Sequence, residues 1–141
     1  MRRYLLDTAP LAALLHARPV AVSLITLWMQ QHEASTSILA YGEVIEYLRG
    51  SPRYAQHRRA LRTLFREIYP HLLTYRIVER YADLRRQLRP PHGAGLIGDV
   101  DTLIAATALE HDLTVVTTDE DFQRVPGIKV LLLDRRKLAT R

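Results

Sequence analysis

Residues 99–119 read DVDTLIAATALEHDLTVVTTD and join two elements of different kinds. The first part, Asp99–His111, is apolar on nearly all sides in its middle, which predicts a largely buried helix. The second part, Leu113–Thr117, is a β-branched run that predicts a strand buried on both faces. A buried helix followed directly by a buried strand indicates an α/β protein.

The rest of the chain repeats this alternation of strands and helices. Strands are predicted over Arg3–Asp7, Ala34–Leu39 and Ile128–Leu133. Helices are predicted after Pro10 and after Pro19, over Ala40–Arg49 and Pro52–Tyr69, and along the apolar set Ile77, Tyr81, Leu84 and Leu88 until Pro90-Pro91. Right-handed crossovers between such strands predict a mostly parallel central sheet flanked by helices, an α/β/α sandwich.

Composition limits the possible functions. With 141 residues, 48% of them hydrophobic, and no internal repeat, we expect one domain over residues 1–141. The absence of cysteine excludes disulfides, thiolate metal sites and thiol nucleophiles. The net charge of +5 favours a polyanionic partner. The longest apolar stretch, Val20–Met29, is too short to span a bilayer, so we expect a cytoplasmic protein without membrane contact.

Four acidic residues are predicted to meet at one edge of the sheet. Asp7 closes the first strand, and Asp119 follows the Leu113–Thr117 strand. Glu43 and Asp101 lie in the first turns of the helices that begin at this same edge. Ligands of parallel α/β sheets bind beyond the carboxyl ends of the strands. The sequence therefore predicts a catalytic site made of these four carboxylates.

A cluster of carboxylates calls for a cation, because like charges at close range raise one another's pKa. Oxygen ligands without thiolates or paired histidines favour Mg²⁺ or Mn²⁺. We expect Asp7, Asp101 and Asp119 to bind the metal. A divalent cation activates water and offsets the charge of a phosphodiester in the transition state, so the pattern indicates a metal-dependent nuclease.

Either Asp99 or Asp101 could be the acid that this helix start contributes to the predicted site. Two residues apart on a helix, they point about 200° from each other, so both cannot face one metal. We assign Asp101 to catalysis and Asp99 to capping the helix, where an acid is favoured by the helix dipole.

Two further pairs of acids leave alternatives open. Glu43 is favoured over Glu46, which lies one turn further along the helix and is expected to pair with Arg49. Asp119 is favoured over Asp121, which remains a possible supporting residue of the site. The loop that contains Asp119 is compact and holds three acids, so Asp121 stays open as the alternative to Asp119.

Two threonines flank the acids. Thr8 is expected to cap the helix that follows Asp7, and it is also a candidate supporting residue. Thr117 is either ordinary β-branched strand filling or a hydrogen-bond donor to a neighbouring carboxylate or substrate oxygen.

Arginines recur on two of the predicted helices, at Arg58, Arg62, Arg66, Arg85, Arg86 and Arg89. Such stripes are usually solvated helix faces, and direct contact with an RNA backbone is the alternative. The six histidines show no spacing typical of a zinc site.

Four segments resemble one known family, the PIN-domain ribonucleases, and within it the VapC toxins of type II toxin–antitoxin pairs. They are Tyr4–Thr8, Ser37–Glu43, Asp101–Ala108 and Val115–Asp119, with Phe122 and Pro126-Gly127 behind the last. The resemblance implies Mg²⁺- or Mn²⁺-dependent endonucleolytic cleavage of RNA, homodimerisation, and inhibition by a cognate VapB-like antitoxin.

The chain departs from the family pattern at Ala9, where PIN domains often carry an asparagine two positions after the first aspartate. The same alanine excludes a phosphotransferase of the haloacid-dehalogenase type, which needs a second aspartate there. The remaining rival is a catalytically silent PIN-like module that binds RNA or a protein, and the intact acids at all four positions argue against it.

Overall fold

The computed structural model describes residues 1–141, and its centre is a five-stranded parallel sheet. The strand order is β3-β2-β1-β4-β5, and each neighbouring pair is parallel. The strands are β1 (Tyr4–Leu6), β2 (Ala34–Ser37), β3 (Tyr69–His71), β4 (Thr114–Thr117) and β5 (Lys129–Leu132). Because β1 lies in the middle and all strands run the same way, the residues that follow β1, β2 and β4 emerge at one common edge.

Helices cover both faces of this sheet. They are α1 (Thr8–Leu15), α2 (Pro19–Gln30), α3 (Ile38–Leu48), α4 (Tyr54–Leu64), α5 (Tyr75–Leu88), α6 (Asp99–Glu110) and α7 (Arg135–Ala139), with a short 3₁₀ helix at Glu120–Arg124. Successive strand residues supply the two cores: Leu6 and Val116 pack on the side of α1 to α4, and Leu5 and Val115 on the side of α5 and α6. The predicted α/β/α sandwich is confirmed.

Most boundaries differ from the prediction by one or two residues, and two differences have a clear local cause. The predicted strand Ala34–Leu39 ends at Ser37, because the Ser37 hydroxyl accepts a hydrogen bond from the Leu39 backbone N–H and caps α3. The predicted helix Pro52–Tyr69 is shorter, since α4 ends at Leu64 and Tyr69 begins an edge strand that the pattern did not indicate.

The most apolar part of the chain folds as the bent pair α1 and α2. Trp28 of α2 stacks on the ring of Tyr4 with 3.9 Å between ring centroids, which attaches α2 to the sheet. No single helix is long and apolar enough to cross a membrane, and α1 and α2 meet such a criterion only together, across a bend of 100°.

Candidate active site

Asp7 lies at the carboxyl end of the central strand, where its backbone N–H still donates to the Val116 carbonyl at 2.9 Å. Its side chain is only 8% exposed. The Thr117 hydroxyl donates to Asp7 Oδ2 at 2.7 Å. Burial raises the pKa of Asp7, and the hydrogen bond from Thr117 partly offsets this. Thr117 is therefore a hydrogen-bond donor to a neighbouring carboxylate rather than ordinary strand filling.

Asp101 lies in the first turn of α6, and its pKa is raised to about 6. Burial is the largest cause, and the charges of Asp7, Asp119, Glu43 and Asp121 follow in that order. These four carboxylates can raise the pKa of Asp101 only if they lie near it, as the sheet topology predicts. No arginine or lysine lowers the pKa of Asp7 or Asp101. Asp7 and Asp101 therefore lie in a local excess of negative charge.

Glu43 occupies the exposed rim of this cluster, on the second turn of α3. The Thr8 hydroxyl donates to Glu43 Oε1 at 2.5 Å, which ties the start of α1 to α3. The expectation that Thr8 caps α1 is wrong, because Asp7 occupies the N-cap position and makes no side-chain capping bond there. Thr8 supports the acid cluster instead.

Asp119 and Asp121 lie together in the loop after β4. The Asp119 backbone N–H donates to the Thr117 hydroxyl at 3.0 Å, so one threonine contacts both Asp7 and Asp119. Asp119 Oδ1 accepts from the Asp121 N–H at 2.9 Å, and Asp121 Oδ1 lies 3.3 Å from Nη2 of Arg124. The charge of Asp119 raises the pKa of both Asp7 and Asp101, and the charge of Asp121 also raises the pKa of Asp101.

Asp99 is directed away from the cluster, as its spacing from Asp101 predicts. Its proposed role as a helix cap is wrong, because Gly98 is the N-cap residue of α6 and Asp99 is already inside the helix. The Asp99 carboxylate instead accepts hydrogen bonds from Arg85 and Tyr81. Asp99 therefore joins α6 to α5.

The competing acid of α3, Glu46, is exposed and forms no ion pair. Its predicted pairing with Arg49 is wrong, because the Arg49 guanidinium lies over the ring of Tyr54, 4.6 Å from the centroid. Only Glu43 of the two is among the charges that raise the pKa of Asp7 and Asp101.

The donor set suits a hard divalent cation. All candidate ligands are carboxylate oxygens, which Mg²⁺ and Mn²⁺ prefer. Asp7, Asp101 and Asp119 form no ion pair with an arginine or lysine. No three of the side chains converge closely enough to hold an ion directly. Mg²⁺ commonly takes one or two carboxylates and keeps several waters, so this spacing is compatible with a partly hydrated ion.

The chain belongs to the PIN-domain family, whose model matches residues 4–128. Its fold is similar to VapBC from Salmonella typhimurium bound to DNA, with TM-score 0.82 and 20% identity over 93% of this chain and 98% of that one. VapBC2 from Rickettsia felis, bound to a promoter DNA fragment, gives TM-score 0.81 and 21% identity over the same shares. A toxin–antitoxin complex from Klebsiella pneumoniae gives TM-score 0.68 and 26% identity over 91% and 95%.

A search of curated protein sequences gives no match. The family model and the solved structures nevertheless agree with each other, and the matched structures cover almost the whole chain. The resemblance to PIN domains that the sequence motifs indicated is confirmed, and at the level of the fold it extends to the VapBC complexes.

Proposed function

We propose that the protein is a Mg²⁺- or Mn²⁺-dependent endoribonuclease and the toxin of a type II toxin–antitoxin module. The observation that carries the proposal is the convergence of Asp7, Glu43, Asp101 and Asp119 at the carboxyl edge of the sheet. Burial and the neighbouring carboxylates raise the pKa of Asp101, and none of the four acids forms an ion pair with an arginine or lysine. A fold gains nothing from such an arrangement, because each buried charge costs free energy unless it is paired. A reaction that requires a bound cation would explain why these carboxylates lie together.

In this proposal Asp7, Asp101 and Asp119 would hold a partly hydrated ion, some of them through its waters. When bound, Mg²⁺ or Mn²⁺ lowers the pKa of water and offsets negative charge on the phosphodiester. Thr117 fixes the two loop ends by contacting Asp7 Oδ2 and the Asp119 N–H. Glu43 is exposed and accepts a hydrogen bond from Thr8, and in this proposal it would position the attacking water and accept its proton. Asp121 supports the site by its charge.

The similarity to VapBC complexes from two bacteria, and to a toxin–antitoxin complex from a third, supports the rest of the proposal. We infer a VapB-like antitoxin as partner, RNA as substrate, a homodimer as the toxin's own assembly, and the cytoplasm as its place of action. Light scattering of the purified protein, alone and with an antitoxin encoded beside it, tests the two assemblies.

The experiment that tests the activity is mapping of RNA ends after expression of the wild type and of Asp7→Asn. We expect new ends at defined positions with the wild type and none with Asp7→Asn. Asp83→Asn is the matched control, because Asp83 is an exposed acid of α5 without an ion-pair partner and should leave the cleavage pattern unchanged.

The competing function is a catalytically silent module that binds RNA or a protein. The observation in its favour is that no three carboxylates already converge on one point. Growth inhibition without new RNA ends, equal for the wild type and Asp7→Asn, would establish the silent module and refute the nuclease.

A further inference from the structure

Four arginines of α4 and its C-terminal turn form the walls of a concave surface on the other side of α3 from Glu43. This surface, which we call the basic groove, has a volume of about 750 Å³ and contains Arg58, Arg59, Arg62 and Arg66. No acidic residue lines it. The sequence pattern singled out three of these arginines by their spacing and missed Arg59, which lies next to Arg58 but still reaches the groove.

None of these arginines takes part in an ion pair, whereas Arg3, Arg76, Arg80, Arg85 and Arg124 all do. Arg85, which the sequence grouped with the possible RNA contacts, is occupied by Asp99. Four unpaired guanidinium groups around one concavity repel one another unless an anion lies between them. The planar guanidinium also matches the geometry of a phosphate group.

The floor of the basic groove is aromatic. Tyr41 of α3 packs on Phe65 with 5.3 Å between ring centroids and a tilt of 57°, and both side chains are partly exposed. Arginines around aromatic rings are the combination with which proteins hold single-stranded nucleic acid, since the phosphates meet positive charge and unpaired bases stack on the rings.

Helix α3 lies between the basic groove and the acid cluster, with Ile38 and Tyr41 on the groove side and Glu43 on the cluster side. Tyr41 and Glu43 are two residues apart on this helix, so their side chains leave it about 200° apart. Tyr41 faces α4, and Glu43 faces α1, where it accepts the hydrogen bond from Thr8. The groove and the rim of the acid cluster at Glu43 are therefore on opposite sides of this one helix, which is about 10 Å in diameter.

We propose that the basic groove holds the phosphate backbone of a single-stranded RNA upstream or downstream of the bond that is cut. This inference rests on the proposed function, and it adds where the substrate strand lies. Phosphate contacts position a strand without reading its sequence, so the groove supplies affinity and register. An acidic polypeptide is the other occupant that this charge would accept, and nearness to the phosphodiester-cleaving site favours the RNA strand.

The test is RNA binding without divalent ions, which separates binding from cleavage. A fluorescein-labelled oligouridylate is titrated in EDTA with the wild type, with Arg58→Gln/Arg62→Gln, and with Arg136→Gln/Arg141→Gln. The last pair makes the same change of charge at exposed arginines of the C-terminal region that have no ion-pair partner. Circular dichroism confirms that each variant is folded.

The expected effect follows from counterion release. Each phosphate contact to a single strand contributes about 0.7 to the slope of log affinity against log salt, which is about fivefold in affinity at about 0.1 M salt. Loss of two arginines should therefore weaken binding about 25-fold and reduce the slope by about 1.4. The control pair should bind like the wild type.

Two results would overturn the proposal. Either both double variants bind the oligouridylate equally weakly, which indicates an effect of overall charge, or Arg58→Gln/Arg62→Gln binds it as tightly as the wild type. Polyglutamate that binds more tightly than the oligouridylate and depends on Arg58 and Arg62 would assign the groove to an acidic polypeptide instead. RNA cleavage is measured separately with Mg²⁺. If RNA binding depends on Arg58 and Arg62 but no cleavage occurs, the proposed nuclease activity is refuted and the proposed role of the groove stands. If cleavage occurs but binding does not depend on these arginines, the role of the groove is refuted and the nuclease activity stands.

Discussion

Replacing Asp101 by asparagine is expected to stabilise the metal-free protein at neutral pH. Asparagine keeps the shape of the side chain and removes the charge that Asp7, Asp119, Glu43 and burial all disfavour. The prediction is the reverse of the usual effect of mutation, because most substitutions at partly buried positions destabilise a fold.

The magnitude follows from the pKa. The pKa of Asp101 rises from 3.8 to about 6, a difference of about 2.2, which at about 1.4 kcal/mol for each unit of pKa gives an upper bound of about 3 kcal/mol. Asp101 is only half-buried, so solvent screening reduces this to about 1 to 2 kcal/mol. For a domain of 141 residues the melting temperature should rise by about 3 to 7 °C.

The pH dependence has a definite sign. A carboxyl whose pKa is raised by folding favours the protonated folded state, so its contribution to stability is complete below about pH 4 and is lost as the pH rises through about 6. The advantage of Asp101→Asn over the wild type should thus be absent below about pH 4, grow between about pH 4 and 6, and stay constant above.

The assay is thermal unfolding in EDTA across this pH range, with Asp83→Asn as the control that removes an exposed acid outside the cluster. In saturating Mg²⁺ the order should reverse, since an ion at about 100 times its Kd stabilises the wild type by about 2.7 kcal/mol and Asp101→Asn no longer binds it. A melting temperature of Asp101→Asn equal to or below that of the wild type at every pH in EDTA would refute the electrostatic reasoning.

Three further outcomes are expected. Thr117→Val removes the hydrogen bond to Asp7 and should lower the affinity for Mn²⁺ about tenfold, as measured by calorimetry. An unchanged affinity would argue against a supporting role of Thr117. Asp119→Asn should reduce RNA cleavage far more than Asp121→Asn, whose carboxylate is already near Arg124, and the opposite order would transfer the role to Asp121. Phe122→Ala leaves a cavity in the core and should cost about 3 to 5 kcal/mol in urea unfolding, so a cost below about 1 kcal/mol would contradict its full burial.

The sheet could be predicted from the sequence where its strands are buried. Leu5, Leu6, Val115 and Val116 have 0% exposure because helices cover both faces, and continuous apolar runs are the pattern that such burial imposes. The edge strand Tyr69–His71 has no such pattern. It contains Pro70, which is tolerated because an edge strand leaves one side of its backbone unpaired.

The acids could be grouped from the sequence because their convergence depends only on topology. Placing each acid after a parallel strand or at a helix start was enough to bring Asp7, Glu43, Asp101 and Asp119 together. The bonds of Thr8 and Asp99 could not be predicted in this way. Their positions at helix starts predicted a capping role for each. In the structure Thr8 instead donates to Glu43 and Asp99 accepts from Arg85, both of which are distant in sequence.

The central claim is that these carboxylates form one divalent-cation site, and Mn²⁺ binding followed by electron paramagnetic resonance tests it most directly. We predict that the wild type removes free Mn²⁺ from solution, that Asp7→Asn and Asp101→Asn each lose most of this binding, and that Asp83→Asn binds like the wild type. Undiminished Mn²⁺ binding by folded Asp7→Asn and Asp101→Asn would contradict the account.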